Sequence, residues 1–202
     1  MALITNPGAS SRKKETELME NELKKFPHLK LVRLSDLSPS ATLDGGDVMV
    51  TEQNVFIGLS SRTNIDAINA ASKIFSTPVH PISLPPGAST LHLKSFMSVM
   101  DGNTIVIYDR FYEHFKQELS KVKCNSNYNF VVVPDIVASN VLRINNNLFI
   151  QDGFAESEKI LVEEATKRNL KVIKLQMSEL IKADGALTCC SLFIPKNKHQ
   201  WH

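Results

Sequence analysis

Asp44-Gly45-Gly46-Asp47-Val48-Met49-Val50-Thr51-Glu52-Gln53-Asn54-Val55-Phe56-Ile57-Gly58 is the stretch that decides the fold. It reads as two strands, 47–50 and 54–58, folded about the turn Glu52-Gln53-Asn54. Downstream, Ile68, Ala71 and Phe75 recur at helical spacing, and Val79-His80-Pro81-Ile82-Ser83-Leu84 reads as a closing strand. The same order then returns. Leu91 to Val99 reads as a strand, Asp101-Gly102-Asn103 as the turn and Thr104 to Tyr108 as the second strand. A helix carrying Phe111, Phe115 and Leu119 follows, then the strand Phe130 to Val133. A third copy runs from Asn140-Val141-Leu142-Arg143-Ile144 through the Asn145-Asn146-Asn147 turn to Leu148-Phe149-Ile150. It continues with a helix that turns Leu161 and Ala165 inward, and Lys171 to Leu175 closes it.

The turns at Gln53, Gly102 and Asn146 repeat at about 45 residues, the signature of stacked supersecondary units. An open α/β sheet with coincidentally similar spacing is the plainer alternative, and three matched turns argue against it. The chain also starts and ends partway through copies. Ala2 to Thr5 is a strand, Leu18, Met19, Leu23 and Phe26 mark a helix, and Leu29 to Leu34 closes that unit. Cys190-Ser191-Leu192-Phe193-Ile194 reads as the first strand of another copy. Closed into a ring, such modules bring the residues near their starts to a shared cleft. Asp44, His92 and Cys189 would then meet although they are distant in sequence.

Composition narrows the partners. The 202 residues are 43% hydrophobic and 22% charged, with a formal net charge of +2, which leaves no electrostatic footprint for nucleic acid. No apolar run approaches the ~20 residues of a membrane span. Three cysteines, two of them adjacent, suit a reducing cytoplasmic setting rather than a disulfide framework. There is no Cys-x-x-Cys, no His pair at ligand spacing and no Gly-rich phosphate loop. Arg12-Lys13-Lys14 with Glu15, Glu17 and Glu20 reads as the solvated face of a helix, and Lys196 to His202 as a frayed tail.

Three residue types suit nucleophilic chemistry. Asp44-Gly45-Gly46-Asp47 is a turn by composition, and its glycine pair lets backbone approach a ligand or another segment. His92, most simply a core histidine, occupies the same end of its copy as Asp44 does. A carboxylate beside it would fix its tautomer and raise its basicity. Cys189 and Cys190, if both lie in a strand, point to opposite faces, so one would face the axis. A thiol near a histidine and a cation loses its proton readily and becomes a nucleophile. Cys124 has no evident partner.

These segments together resemble dimethylarginine dimethylaminohydrolase, of the pentein or guanidino-modifying superfamily that also holds the arginine deiminases. The matching stretches are Pro7 to Glu15, Leu43 to Val48, Phe56 to Asn64, Leu91 to Phe96 and Asp184 to Ser191, in order along the whole chain. Thr188-Cys189-Cys190-Ser191 is most similar to animal members. The resemblance implies an α/β propeller of five strand–strand–helix–strand modules, here one domain over 1–202 that is incomplete at its N-terminus. It implies Cys189 as nucleophile, His92 as acid and base, and Asp44 as the acid that orients it. It assigns Arg12 and Arg62 to the α-carboxylate of the substrate by bidentate pairing, and Ala183, Asp184 and Asp47 to the substrate side of the site. It implies hydrolysis of methylated arginine to citrulline and methylamines through a covalent thiouronium on Cys189. No cofactor is required, and zinc at Cys189 would be inhibitory. The expected partner is the small-molecule substrate, with the chain a monomer or homodimer.

The family carries a further N-terminal stretch, with a lid and acidic residues that grip the guanidinium, before the strand matching Ala2 to Thr5. Its absence predicts an open ring with exposed apolar edges. It also predicts low activity, because removing one partner of a buried charge pair commonly costs ~3–5 kcal/mol. Two alternatives stand beside this reading. One is an arginine or agmatine deiminase, against which Leu91-His92-Leu93-Lys94 argues because deiminases follow that histidine with an acid. The other is a non-catalytic member or fragment that keeps Cys189 and His92 as relics.

Overall fold

A computed structural model describes residues 1–87, 92–122 and 127–194. Cys124, Leu91 and the tail from Lys196 to His202 lie outside the described residues. The described residues form four consecutive modules. The first holds β1 (Ala2–Ile4), α1 (Lys13–Leu23) and β2 (Leu31–Arg33), followed by the single turn α2 (Leu34–Leu37). The second holds β3 (Val48–Val50), β4 (Val55–Leu59), α3 (Ile65–Ile74) and β5 (Val79–Ser83). The third holds β6 (Met97–Asp101), β7 (Thr104–Tyr108), α4 (Tyr112–Lys121) and β8 (Asn129–Val133). The fourth holds β9 (Leu142–Ile144), β10 (Asn147–Gln151), α5 (Ala155–Lys167) and β11 (Lys171–Leu175), and the turn α6 (Ser178–Ile181) follows it.

In each of the last three modules the central strand pairs antiparallel with the strand before it and parallel with the strand after the helix. A tight turn suffices for the antiparallel pair, whereas the parallel pair needs the helical crossover. The turn Asn145-Asn146 between β9 and β10 places Asn145 at φ 54°, a left-handed conformation that asparagine tolerates. The first module keeps the parallel pair alone, Ala2 opposite Leu31 through Ile4 opposite Arg33.

Burial explains why the modules stack. One core cluster joins Leu34, Ala41 and Leu43 to Val55, Ile57 and the Ala67, Ile68 and Ala71 face of α3. The next joins Met49, Phe56 and Ile82 of the second module to Phe96, Ile105 and Phe115 of the third. A further one joins Met100, Val106 and Val131 of the third to Leu148, Ile150 and Leu161 of the fourth. The helices α3, α4 and α5 therefore each cover apolar surface contributed by the preceding module as well as their own, and none of these three modules buries its core alone. Asn64 caps α3 by accepting from Ala67 N–H at 3.1 Å, and Glu158 accepts from Gly153 and Phe154 N–H at the start of α5.

Three local expectations differ from the structure. The expected strand from Leu91 to Val99 begins only at Met97. Before it, His92 is extended and Leu93–Ser95 make one turn of 3₁₀ helix, because the buried Asp47 carboxylate takes the Leu93 N–H that a strand would have given to a ladder. Cys190 to Ile194 forms no strand. Residues 187–190 make a turn, 191–194 have no regular structure, and the sheets formed by the described residues do not include them. Cys189 and Cys190 are both exposed, so the opposite-face argument for a strand does not apply to them. Finally, α1 is helical as expected, but Leu18 is 71% exposed and Met19 and Phe26 are exposed as well, while Leu23 and the Glu20 side packs inward.

Candidate active site

The site assembles from the segments that precede the first strand of each module. Gly45–Asp47 makes a turn of 3₁₀ helix ahead of β3, and Leu93–Ser95 makes the equivalent turn ahead of β6. These turns pack on each other. The contact depends on the absence of a side chain at Gly46, where a Cβ would stand 2.6 Å from His92 Cγ and 2.9 Å from Nδ1.

Asp44 and His92 meet directly. His92 Nε2 lies 3.0 Å from Asp44 Oδ2, and Asp44 is 5% exposed. The second oxygen, Oδ1, accepts from Gly8 N–H at 3.0 Å, and the Asp44 N–H donates to Thr63 Oγ1 at 3.1 Å. The carboxylate is thus anchored by backbone on one side and offers its other oxygen to the imidazole. Pairing of this kind selects the tautomer and fixes the ring.

Asp47 is wholly buried and its carboxylate is occupied inside the protein. It accepts from Ser60 Oγ at 2.7 Å, Thr63 Oγ1 at 2.6 Å and Leu93 N–H at 2.9 Å. These bonds tie the segment after β4 to the segment that carries His92. Asp47 therefore holds the scaffold beneath the imidazole, and its oxygens do not open to solvent.

Arg12 lies at the rim. Its guanidinium makes a fork with Glu15, Nη2 to Oε2 at 2.8 Å, and stands 3.9 Å from Asp44 Oδ2. The Glu15 hydrogen bond holds the Arg12 proton more firmly than usual, partial burial opposes this, and Asp44 and Cys189 add further attraction. Arg62 is half-buried, and its backbone is set by Ser60 Oγ, which accepts from Arg62 N–H at 3.0 Å. Among the described residues Arg62 has no carboxylate partner. Gly8 packs against it so closely that a Cβ there would sit 2.5 Å from Arg62 O.

Cys189 sits on the turn after α6. Its N–H donates to Ala186 O at 3.1 Å, and it lies within electrostatic range of both Arg12 and Lys94. Among the described residues no hydrogen bond joins Cys189 to His92. Ala183 and Asp184 are exposed on the turn that leads in, with Asp184 at φ 56° and Gly185 N–H bonded to Leu180 O at 2.8 Å. Among the described residues no three His, Cys, Asp or Glu side chains converge to hold a metal ion.

Two residues enter that were not singled out as functional. Burial pulls the Lys94 ammonium below the ordinary lysine range, while Cys189 and Asp47 act in the opposite sense. Asn140, 4% exposed, joins Lys94 to Thr188: its Nδ2 donates to Lys94 O at 2.8 Å and to Thr188 Oγ1 at 2.9 Å. A signal for Asn140 was present in the sequence. Asp44, His92, Asn140 and Thr188 follow one another at steps of 48 residues, one at the start of each successive module.

A strand–strand–helix–strand repeat whose polar groups gather at the module starts defines a pentein. A family model described as arginine deiminase matches residues 3–135, well over half of the chain, and the chain belongs to that family. Within it, the chain is 27% identical to N(G),N(G)-dimethylarginine dimethylaminohydrolase of Pseudomonas aeruginosa over 95% of its own length and 70% of that protein's. A solved structure of that Pseudomonas aeruginosa protein, a cysteine-to-serine mutant complexed with citrulline, superposes with a TM-score of 0.74 at 25% identity. The match covers 93% of this chain and 68% of that one. A cyanobacterial arginine dihydrolase shares the fold alone, with a TM-score of 0.73 at 16% identity over 93% of this chain and 29% of that one.

Proposed function

We propose that the chain hydrolyses Nω-methylated arginines to citrulline and methylamine or dimethylamine. The observation that carries this reading is the Asp44–His92 pair, 3.0 Å apart with Asp44 buried, together with an exposed Cys189 within electrostatic range of Arg12 and Lys94. The relation to proteins named dimethylarginine dimethylaminohydrolase gives the substrate class.

In this reading the Cys189 thiolate adds to the guanidinium carbon and forms a C–S bond, giving a tetrahedral intermediate. The bond from that carbon to the methylated nitrogen breaks as His92 transfers a proton to the leaving amine, and a thiouronium on Cys189 remains. Water, deprotonated by His92, adds to the same carbon. The C–S bond then breaks, citrulline leaves and the thiolate is restored. Asp44 holds the imidazole and stabilises its charged form between the two proton transfers. Acid–base help of this kind contributes about 10²–10⁴-fold. Arg62, with no internal carboxylate partner among the described residues, is the group suited to the α-carboxylate of the substrate. Arg12 would join it by exchanging Glu15 for that carboxylate, and the exposed Ala183 and Asp184 are assigned to the substrate side of the site. Asp47 serves by holding the His92 segment.

The test is citrulline release by the purified chain from dimethylarginine, monomethylarginine and arginine, with Cys189→Ser as control. The expected result is citrulline from the methylated substrates and none from Cys189→Ser. Release from arginine alone, with ammonia, would indicate a deiminase. No release from any of the three would mark a non-catalytic member.

A further inference from the structure

The turn that carries Cys189 is fastened to the body of the protein through one buried amide. Asn140 Nδ2 donates to Lys94 O at 2.8 Å and to Thr188 Oγ1 at 2.9 Å, and Oδ1 accepts from Thr188 N–H at 3.0 Å. Both amide hydrogens and the carbonyl are in use. The backbone around Asn140 is itself pinned. Ser98 Oγ donates to Ser139 O at 2.6 Å and accepts from Val141 N–H at 2.8 Å, so both peptide neighbours of Asn140 are locked to β6. Gln151 Nε2 adds bonds to Val137 O at 2.7 Å and Asn140 O at 3.4 Å. The hydrogen bonds within the turn are local by comparison, Cys189 N–H to Ala186 O and Cys190 N–H to Ala186 O and Leu187 O.

We propose that Asn140 is a positioning residue for the reaction, setting the Cys189 turn against the segment that carries His92 and Lys94. It links two halves of the site that come from different modules. One is Leu93–Ser95 and the residues flanking it, which the Asp47 carboxylate holds from below. The other is the 187–190 turn, which has no strand to stabilise it. Covalent addition requires the sulfur within a fraction of an ångström of its attack position, and an exposed turn does not keep that position unaided. A side chain bonded to the backbone of both segments supplies the constraint. The 48-residue step that puts Asn140 at the start of its module, as Asp44 and His92 are at the starts of theirs, gives it the place from which to act.

The proposal rests on Cys189 as the nucleophile, and the experiment separates the two. Iodoacetamide alkylation of Cys189 and Cys190 is measured across pH in the full chain, residue by residue, by mass spectrometry, without substrate. Cys190, on the same turn, is the internal reference. In Asn140→Ala the ratio of Cys189 to Cys190 rates is expected to fall about fivefold or more. In the same variant kcat should fall about tenfold or more, with KM held within about threefold. Asn140→Asp keeps the acceptor for Thr188 N–H and loses both donors, so it should fall between. A ratio within about twofold of the native chain, or equal changes at both thiols, would overturn the proposal, since general loosening moves the two together. If Asn140→Ala does not fold, Thr188→Val removes one acceptor of the same network and is read by the same ratio. If the native chain releases no citrulline, the hydrolase reading fails while the thiol ratio still decides the role of Asn140.

Discussion

Gly46 lies against the imidazole of His92, leaving no room for even one more carbon: a Cβ at position 46 would stand 2.6 Å from His92 Cγ. The neighbouring Asp44 holds the same ring from its Nε2 edge at 3.0 Å. Two residues of one turn thus confine the histidine, one by pairing and one by being small. Gly46→Ala is therefore expected to keep the fold and displace the ring. We predict a loss of kcat of about tenfold or more, consistent with the sensitivity of catalysis to small displacements. A crystal structure of the variant would show His92 moved away from Asp44, and an unmoved ring with native kcat would contradict the prediction.

Asp47→Ala should act through stability first. Its removal leaves the Ser60 and Thr63 hydroxyls and the Leu93 N–H without their acceptor in a buried site. The expected cost is about 3 kcal/mol or more, given that hydrogen bonds to a charged group contribute about 1.5–3 kcal/mol each. Urea unfolding measures it. A midpoint unchanged from the native chain would show that the three donors find other partners.

Lys94 gives a pH dependence of definite sign. The folded chain holds this proton less tightly than the unfolded chain, because burial disfavours the ammonium and Cys189 and Asp47 offset that in part. The cost is fully present below the folded-state pKa, and this contribution to stability improves as pH rises through that value toward the ordinary lysine value. Lys94→Met, which keeps the chain length and drops the charge, should melt higher than the native chain at neutral pH, with the gap narrowing as pH enters the lysine range.

At the acid end the relevant group is Glu158, whose carboxylate receives Lys174 and the Gly153 and Phe154 N–H groups at the start of α5. The Lys174 bond is the largest cause of its lowered pKa, burial opposes it, and the backbone donors add to it. The stabilisation is present above the ordinary glutamate value and is lost as pH falls through the depressed folded-state value. Glu158→Gln should melt lower than the native chain at neutral pH, and the two curves should converge in acid. Parallel curves across the range would contradict this.

Much of the architecture was legible because its signals are local. The apolar runs on either side of the Glu52-Gln53-Asn54 turn and the helical spacing at Ile68 and Ala71 need no knowledge of the rest of the chain. The convergence of Asp44 on His92 followed from the repeat, since equivalent positions of stacked modules fall together. Where the reading failed, the deciding atom came from elsewhere. Leu91 to Val99 alternates like one strand, but a carboxylate from the preceding module captures Leu93 N–H and breaks it. Leu192-Phe193-Ile194 has the composition of a strand, yet composition alone does not place a segment in a sheet, and these residues belong to none of the sheets of the described residues. Leu18, Met19 and Phe26 announced a helix without saying what covers them. Asn140 was read as the opening of a strand, although its 48-residue step from His92 placed it with the site residues.

The central claim is that Cys189 attacks the guanidinium carbon of a methylated arginine, and trapping the adduct tests it most directly. The native chain is mixed with dimethylarginine, quenched in acid, and the peptide spanning Thr188-Cys189-Cys190 is analysed by mass spectrometry. We predict a covalent adduct equal to dimethylarginine less dimethylamine, localised to Cys189, retained in Cys190→Ser and absent in Cys189→Ser. An adduct that survives Cys189→Ser, or citrulline release that does, would contradict the account.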